Sequence, residues 1–126
     1  MITNFEELTK PLTEDEKILL NCTYDVLKNI SVNNPIKAPN LIFRVKHISN
    51  KDNFTQVRLR KMINFIRANS LLPVIATSKG YYCSFELDEI QREIDSLNER
   101  ADAIRTASDG LKKFLIAEQQ LRLKFE

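Results

Sequence analysis

Basic side chains are concentrated in the middle of this 126-residue chain. Residues 40–82 contain eight Lys or Arg residues and one acidic residue, Asp52, whereas the segments on either side are acidic. Guanidinium and ammonium groups at this density attract polyanions and pair with phosphate oxygens. The net charge of the whole chain is only +2, so it is the uneven distribution that predicts a polyanion-binding surface. A basic face that is merely solvated would give the same pattern.

The segment from residue 55 to 69 combines half of these cations with a periodic apolar pattern. Its apolar side chains recur at the three- and four-residue steps of one helix face: Leu59, Met62, Ile63 and Ile66. Three polar or cationic side chains then fall on the opposite side, with a fourth flanking it: Arg60, Lys61 and Asn64, and Arg58. Thr55 is the predicted N-cap, and the backbone N–H groups beside it can bind a phosphate.

A β-hairpin is predicted directly after this helix. Residues 73–77 and 81–85 are short runs rich in β-branched or aromatic side chains, and Ser78-Lys79-Gly80 separates them. Gly80 supplies the positive φ that a tight loop needs. Lys79 is therefore expected at the tip of the hairpin. Tyr81 and Tyr82 point to opposite faces of the second strand, and the pattern does not decide which of them is buried.

Two helices are predicted before residue 50. Thr13 and Glu16 have the spacing of a capping box, which predicts a helix over about residues 14–30. Asn40 is the predicted cap of a short second helix that ends near Ile48, with Arg44 and Lys46 pointing outward. The fold class expected from these elements is mainly α with a small β-hairpin.

The chain is again helical from Leu87 onward. Apolar residues at positions 87, 90, 94, 97, 101 and 104 are separated by alternating steps of three and four, as in a heptad repeat. Gly110 predicts a break or kink that would divide this long helix into two. The repeat can pack back on the first helix or pair with a second chain, and we predict a homodimer through Ile90, Ile94, Leu97, Ala101 and Ile104.

The predicted order of three helices followed by a hairpin is the layout of a winged helix-turn-helix. An α-helix fits the DNA major groove, and cations on its exposed side can contact phosphates. A Lys at a hairpin tip can reach the neighbouring groove or backbone. The third helix would then be the recognition helix and the hairpin would be the wing.

Residues 57–67 and 72–82, VRLRKMINFIR and LPVIATSKGYY, resemble a family of small winged-helix proteins encoded by bacteriophages and related mobile elements. The resemblance extends through the following helical segment to about residue 104, and residues 5–48 match more loosely. It implies a winged-helix fold that binds double-stranded DNA, in transcription regulation or replication. Most members of the family are uncharacterised, so the resemblance does not choose between these two roles.

Several residues are candidates for DNA contact under this interpretation. The predicted contacts from the third helix and the wing are Thr55, Gln56, Arg58, Arg60, Lys61, Asn64 and Lys79. Gln56 and Arg58 are the preferred base-reading candidates, because recognition helices usually present their N-terminal part to the bases. Candidates for contact with the DNA backbone are Arg44, Lys46, Lys51 and Tyr82.

The predicted organisation is an N-terminal arm (1–12), a winged-helix domain (13–86) and a C-terminal helical segment (87–126). Two Cys and one His argue against a structural zinc site, and no pattern suggests a catalytic site, a cofactor or a small-molecule substrate. The chain has no apparent signal peptide or membrane span, which predicts the cytoplasm, that of a host bacterium if the gene is a phage gene. The alternative function is a protein-interaction adaptor in a virion or replisome, because winged helices also bind proteins.

Overall fold

The computed structural model describes residues 4–125. In this part of the chain there are five helices and one hairpin, in the order α1 (Phe5–Leu8), α2 (Glu14–Leu27), α3 (Ala38–Ser49), α4 (Gln56–Ala68), β1 (Val74–Thr77), β2 (Gly80–Cys83) and α5 (Leu87–Phe125). The expectation of a mainly helical chain with a small hairpin and a long C-terminal helix is confirmed. The chain divides into two compact units, one ending at Ile90 and the other beginning at Gln91.

The core of the first unit lies among α2, α3 and α4, which contact one another pairwise. Each helix buries one apolar stripe there, including Leu19, Leu20 and Leu27 from α2, Leu41 and Val45 from α3, and Leu59, Met62 and Ile66 from α4. Phe54, in the turn between α3 and α4, is 1% exposed. Burying a side chain of this size stabilises a fold by about 1.5–3 kcal/mol, so Phe54 anchors the turn that leads into α4.

The helix starts follow from local capping, with one difference from the prediction. In α2 the Thr13 hydroxyl accepts from the Glu16 N–H and the Glu16 carboxylate accepts from the Thr13 N–H, each at 3.1 Å, so the capping box is confirmed. Thr55 likewise caps α4 by accepting from the Arg58 N–H at 3.3 Å. The predicted Asn40 cap is wrong, because α3 begins at Ala38 after Lys37. Pro39 lies in the first turn of α3, where its missing N–H costs nothing.

The hairpin is joined to the segment between α2 and α3. Strands β1 and β2 pair antiparallel, with Val74 opposite Cys83 and Thr77 opposite Gly80. Ile36 and Tyr81 exchange backbone hydrogen bonds of 2.8 and 2.9 Å, which adds an isolated bridge at the edge of β2. This bridge ties the hairpin to the segment between α2 and α3, two of the helices that form the core.

Gly80 is required by this bridge and by its own backbone conformation. Its φ is +128°, and a Cβ atom at this position would lie 2.5 Å from the carbonyl oxygen of Ile36. The oxygen belongs to the backbone, so it cannot move aside as a flexible side chain would. The predicted role of Gly80 in the loop is thus confirmed, and the close approach to Ile36 adds a second reason for glycine.

Tyr82 is a core residue rather than a surface residue. It is 6% exposed, and its hydroxyl donates to the carboxylate of Glu89 at 3.1 Å. The Ser84 hydroxyl donates to the same carboxylate, so Glu89 fixes the start of α5 against the end of the hairpin. This packing removes Tyr82 from the candidate contacts with the DNA backbone, and Tyr81 is the half-buried member of the pair.

Helix α5 continues without interruption from Leu87 to Phe125. The predicted break near Gly110 is therefore wrong. One glycine inside a helix costs about 1 kcal/mol, and the good helix formers that flank it, such as Ala107, Leu111 and Lys112, offset that cost. At the other end, the predicted arm contains the short helix α1, followed by the buried Thr9.

The two glycines give opposite predictions for substitution by alanine. Gly80→Ala is expected to lower the free energy of unfolding by at least about 1–3 kcal/mol, because a strained φ and a backbone clash are both imposed. Gly110→Ala is expected to raise helix stability by up to about 1 kcal/mol, since nothing lies within 4 Å of the new methyl group. Urea denaturation followed by circular dichroism measures both. Equal stability of the Gly80→Ala variant and the unmodified chain would contradict the proposed role of this glycine.

Candidate nucleic-acid interface

Helix α4 separates an apolar side from a cationic side, as predicted. Leu59, Met62, Ile63 and Ile66 are buried in the core. Three polar side chains at four-residue spacing form one exposed row, which we call the reading row: Gln56, Arg60 and Asn64. The 13-residue helix contains four basic residues and no acidic residue, so no carboxylate of its own neutralises this side.

The carboxylate of Asp15 on α2 binds three groups near the start of α4. It accepts from the Asn53 amide at 2.6 Å and from the Arg58 guanidinium at 3.3 Å, and the Lys51 ammonium lies 3.1 Å away. The hydrogen bonds from Asn53 and Lys51, with the positive charges of Lys51 and Arg58, lower the pKa of Asp15 below its ordinary value. Two predicted DNA-contact residues, Lys51 and Arg58, are thus bound within the protein.

Glu16, the next residue of α2, pairs with a third candidate. Its carboxylate accepts a hydrogen bond from Lys61 while it also completes the capping box with Thr13. The Lys61 ammonium and the Thr13 backbone N–H lower the pKa of Glu16. The first turn of α2 therefore holds α4 by two carboxylates, and the cations of α4 that face α2 have internal partners.

Other predicted cations have no such partner. Within residues 4–125, no carboxylate lies within ion-pairing distance of Arg60 or Lys79, and the same is true of Arg44 and Lys46 on α3. Arg60, Arg44 and Lys79 are exposed, and Lys46 is half-buried. The structure thus divides the predicted contact residues into cations that hold α4 and cations that are available to an external anion.

The tip of the hairpin presents Lys79 to solvent. The Thr77 hydroxyl accepts from the Lys79 N–H and donates to the Gly80 carbonyl, each at 3.2 Å, so the two-residue turn is braced by one side chain. At the other end of β1, the Arg67 guanidinium donates to the Val74 carbonyl at 3.0 Å. This bond between α4 and β1 gives Arg67 a role that the sequence pattern did not indicate.

An exposed aromatic side chain on α3 is a surface feature that the sequence pattern did not indicate. Phe43 on α3 is 72% exposed, and with Arg44 it lines an open depression of about 330 Å³ that also includes Asn34, Pro35 and Asn40. An exposed aromatic side chain beside a guanidinium and two amides can contact either a nucleic acid or a peptide. The sequence signal for this surface was Phe43 itself, an aromatic residue on the outward face of a helix that buries Leu41 and Val45.

Comparison of the chain with protein-family models, with curated proteins and with solved structures finds no match in any of the three. The resemblance to phage winged-helix proteins thus stays a prediction. In the described part of the chain, no helix combines the length and the apolar character needed to cross a bilayer. The same residues contain no group of three or more His, Cys, Asp or Glu side chains placed to bind a metal ion.

Glu16→Gln is expected to destabilise the fold in a pH-dependent way. A glutamine keeps the capping box but removes the charge that pairs with Lys61. Because the folded pKa of Glu16 lies below its ordinary value of 4.5, ionised Glu16 stabilises the fold above that pH, and this contribution is lost as the pH falls below it. Urea denaturation should therefore show the variant to be less stable than the unmodified chain at about pH 7, and the difference should be smaller at about pH 3, where protonation of Glu16 in the unmodified chain begins to remove the ion pair.

Glu7→Gln is the matched control, since Glu7 pairs with Lys10 on an exposed surface where its side chain is 76% accessible. If Glu16→Gln lowers the free energy of unfolding by the same amount at both pH values, the ion pair with Lys61 does not contribute to stability.

Proposed function

We propose that this protein binds double-stranded DNA through a winged helix-turn-helix, with α4 in the major groove and the hairpin as the wing. The observation that carries the proposal is the carboxylate-free, exposed side of α4, which lies opposite the core-facing stripe of the same helix. A major groove about 12 Å wide admits one α-helix. The fixed apolar side then determines which side chains enter the groove.

The reading row supplies the base contacts in this proposal. Arg60 can bind guanine O6 and N7, and Gln56 and Asn64 can bind the edge of adenine. Steps of four residues place the three side chains along one line of the helix. This assignment replaces Arg58, favoured by the sequence pattern, with Arg60, because Arg58 is bound to Asp15.

Phosphate contacts would come from the borders of the same surface. The backbone N–H groups at the start of α4, next to the Thr55 cap, can hold one phosphate. Lys79 on the wing, and Arg44 and Lys46 on α3, are cations without a carboxylate partner among the described residues. Lys51, Arg58 and Lys61 would have to exchange a carboxylate for a phosphate, so each is expected to contribute less than Arg60. The resemblance to phage proteins supports a role in transcription regulation or replication.

A protein-interaction adaptor is the second candidate, and the exposed apolar side chains favour it. Phe43 and Phe85 in the first unit are 72% and 78% exposed, and most apolar side chains of the second unit are exposed as well. Contiguous exposed apolar surface is typical of protein contacts. An adaptor of this kind would retain its fold but bind neither duplex nor single-stranded nucleic acid at low salt.

The DNA proposal predicts a specific order of effects for three alanine variants. Arg60→Ala should weaken binding by about 5–150-fold, the range that corresponds to one bidentate base contact of about 1–3 kcal/mol. Arg58→Ala should weaken it less, because Arg58 already has a carboxylate partner. Lys10→Ala is the control, an exposed cation outside α4. The probe is a duplex enriched from a randomised pool by the unmodified protein, and fluorescence anisotropy over a range of salt concentrations measures the affinity.

Loss of binding with rising salt is expected for all variants that bind, since phosphate contacts release counterions. If the unmodified chain retains no duplex at low salt, the DNA proposal is wrong and the adaptor is favoured. If the Arg60→Ala and Lys10→Ala variants bind the duplex with equal affinity, α4 is not part of the DNA interface.

A further inference from the structure

The unbroken α5 places two apolar groups, which a break at Gly110 would have separated, on a single helix. From Ile94 to Phe125 one series of its apolar residues follows steps of three and four, with Glu118 at one position, and other apolar residues such as Leu115, Ile116 and Leu123 lie outside this series. These residues, which we call the apolar seam, are Ile94, Leu97, Ala101, Ile104, Ala107, Leu111, Phe114, Leu121 and Phe125. Two successive steps of three meet at Ile104, and an irregularity of this type shifts the phase of a coiled coil without ending it.

The seam is exposed over most of its length. Ile104, Leu111, Phe114 and Phe125 are each at least 70% exposed, and Leu97 is half-buried. From residue 94 to 125 the seam is about 46 Å long, which is more than four heptads. A pattern sustained over three or four heptads is typical of a helix that packs along another helix.

Charge indicates which helix fits the seam. Residues 87–109 of α5 contain seven acidic and three basic side chains, whereas residues 110–125 contain one acidic and four basic side chains. A second copy aligned in parallel would place like charges together, and Arg100 would lie beside Arg105 of the partner subunit. An antiparallel copy places the acidic half of each helix against the basic half of the other. We propose that two copies of this chain associate through an antiparallel pair of α5 helices.

The spacing of the seam fits this arrangement when the two-fold axis lies near residue 109. Ile94 is then opposite Phe125 of the partner subunit, Ile104 is opposite Phe114 of the partner subunit, and Ala107 is opposite Leu111 of the partner subunit. Next to the axis the small side chain of Ala107 faces the larger Leu111, as an interdigitating core requires. Glu118, the polar residue that interrupts the seam, also has a partner in this arrangement, because Arg100 lies opposite Glu118 of the partner subunit.

The association does not depend on DNA binding, so its test uses the protein alone. Sedimentation equilibrium of the full chain should give twice the chain mass of 14.6 kDa. Leu111→Asp should give a monomer, because it places a charge in the seam. Ile116→Asp is the matched control: Ile116 is 54% exposed and lies about 140° around the helix from Leu111, so this variant should remain a dimer. A monomeric unmodified chain, or the same mass for both variants, would overturn the proposal.

Orientation is tested by disulfide cross-linking without disturbing the seam. Burial raises the pKa of the native thiols, that of Cys83 to about 11, so cysteines introduced at exposed positions react selectively. Ser108→Cys, near the two-fold axis, should form a covalent dimer. Asn98→Cys and Arg122→Cys, which flank the seam on the same side, should each fail to cross-link alone and should cross-link when the two variants are mixed. Efficient self-linking of Asn98→Cys would show parallel helices and overturn the proposal.

Discussion

Two carboxylates in the first turn of α2 hold the cationic start of α4. Asp15 binds Arg58 on α4 and also Lys51 and Asn53 in the turn before it, and Glu16 binds Lys61. Ion pairs at a protein surface add little to the free energy of unfolding because water and salt screen them, so their main effect is on the positions of these side chains. They relieve repulsion among the cations of α4, whereas the buried apolar stripe of that helix sets which side points away from the core.

This constraint explains how one helix can pack in the core and also, in the proposed function, contact DNA. Its apolar stripe packs in the core, its α2-facing cations neutralise Asp15 and Glu16, and its remaining side presents the reading row. A helix whose cations were all unpaired would bind phosphate more strongly but would be held less well. In the proposed function, affinity thus comes largely from the wing and from α3, and sequence preference from Gln56, Arg60 and Asn64.

Local signals in the sequence predicted much of the fold, and long-range pairing explains what they missed. The capping box at Thr13, the apolar stripe of α4 and the turn at Gly80 each depend on residues within a few positions of one another. The pairing of Asp15 with Arg58 joins residues 43 positions apart, and no local pattern selects it among the other acids and cations. Strand alternation placed Tyr81 and Tyr82 on opposite faces, but only packing against Glu89 shows that Tyr82 is buried. The predicted break at Gly110 was wrong because a glycine costs a helix only about 1 kcal/mol, which is too little to interrupt a helix of 39 residues.

The most direct test of the central claim is a backbone amide NMR titration of the full chain with a short duplex. We expect the largest chemical-shift changes at Gln56, Arg60 and Asn64, with a second group around Lys79, and little change at residues 94–125. Absence of shifts at saturating duplex, or shifts confined to residues 94–125, would contradict DNA recognition by α4.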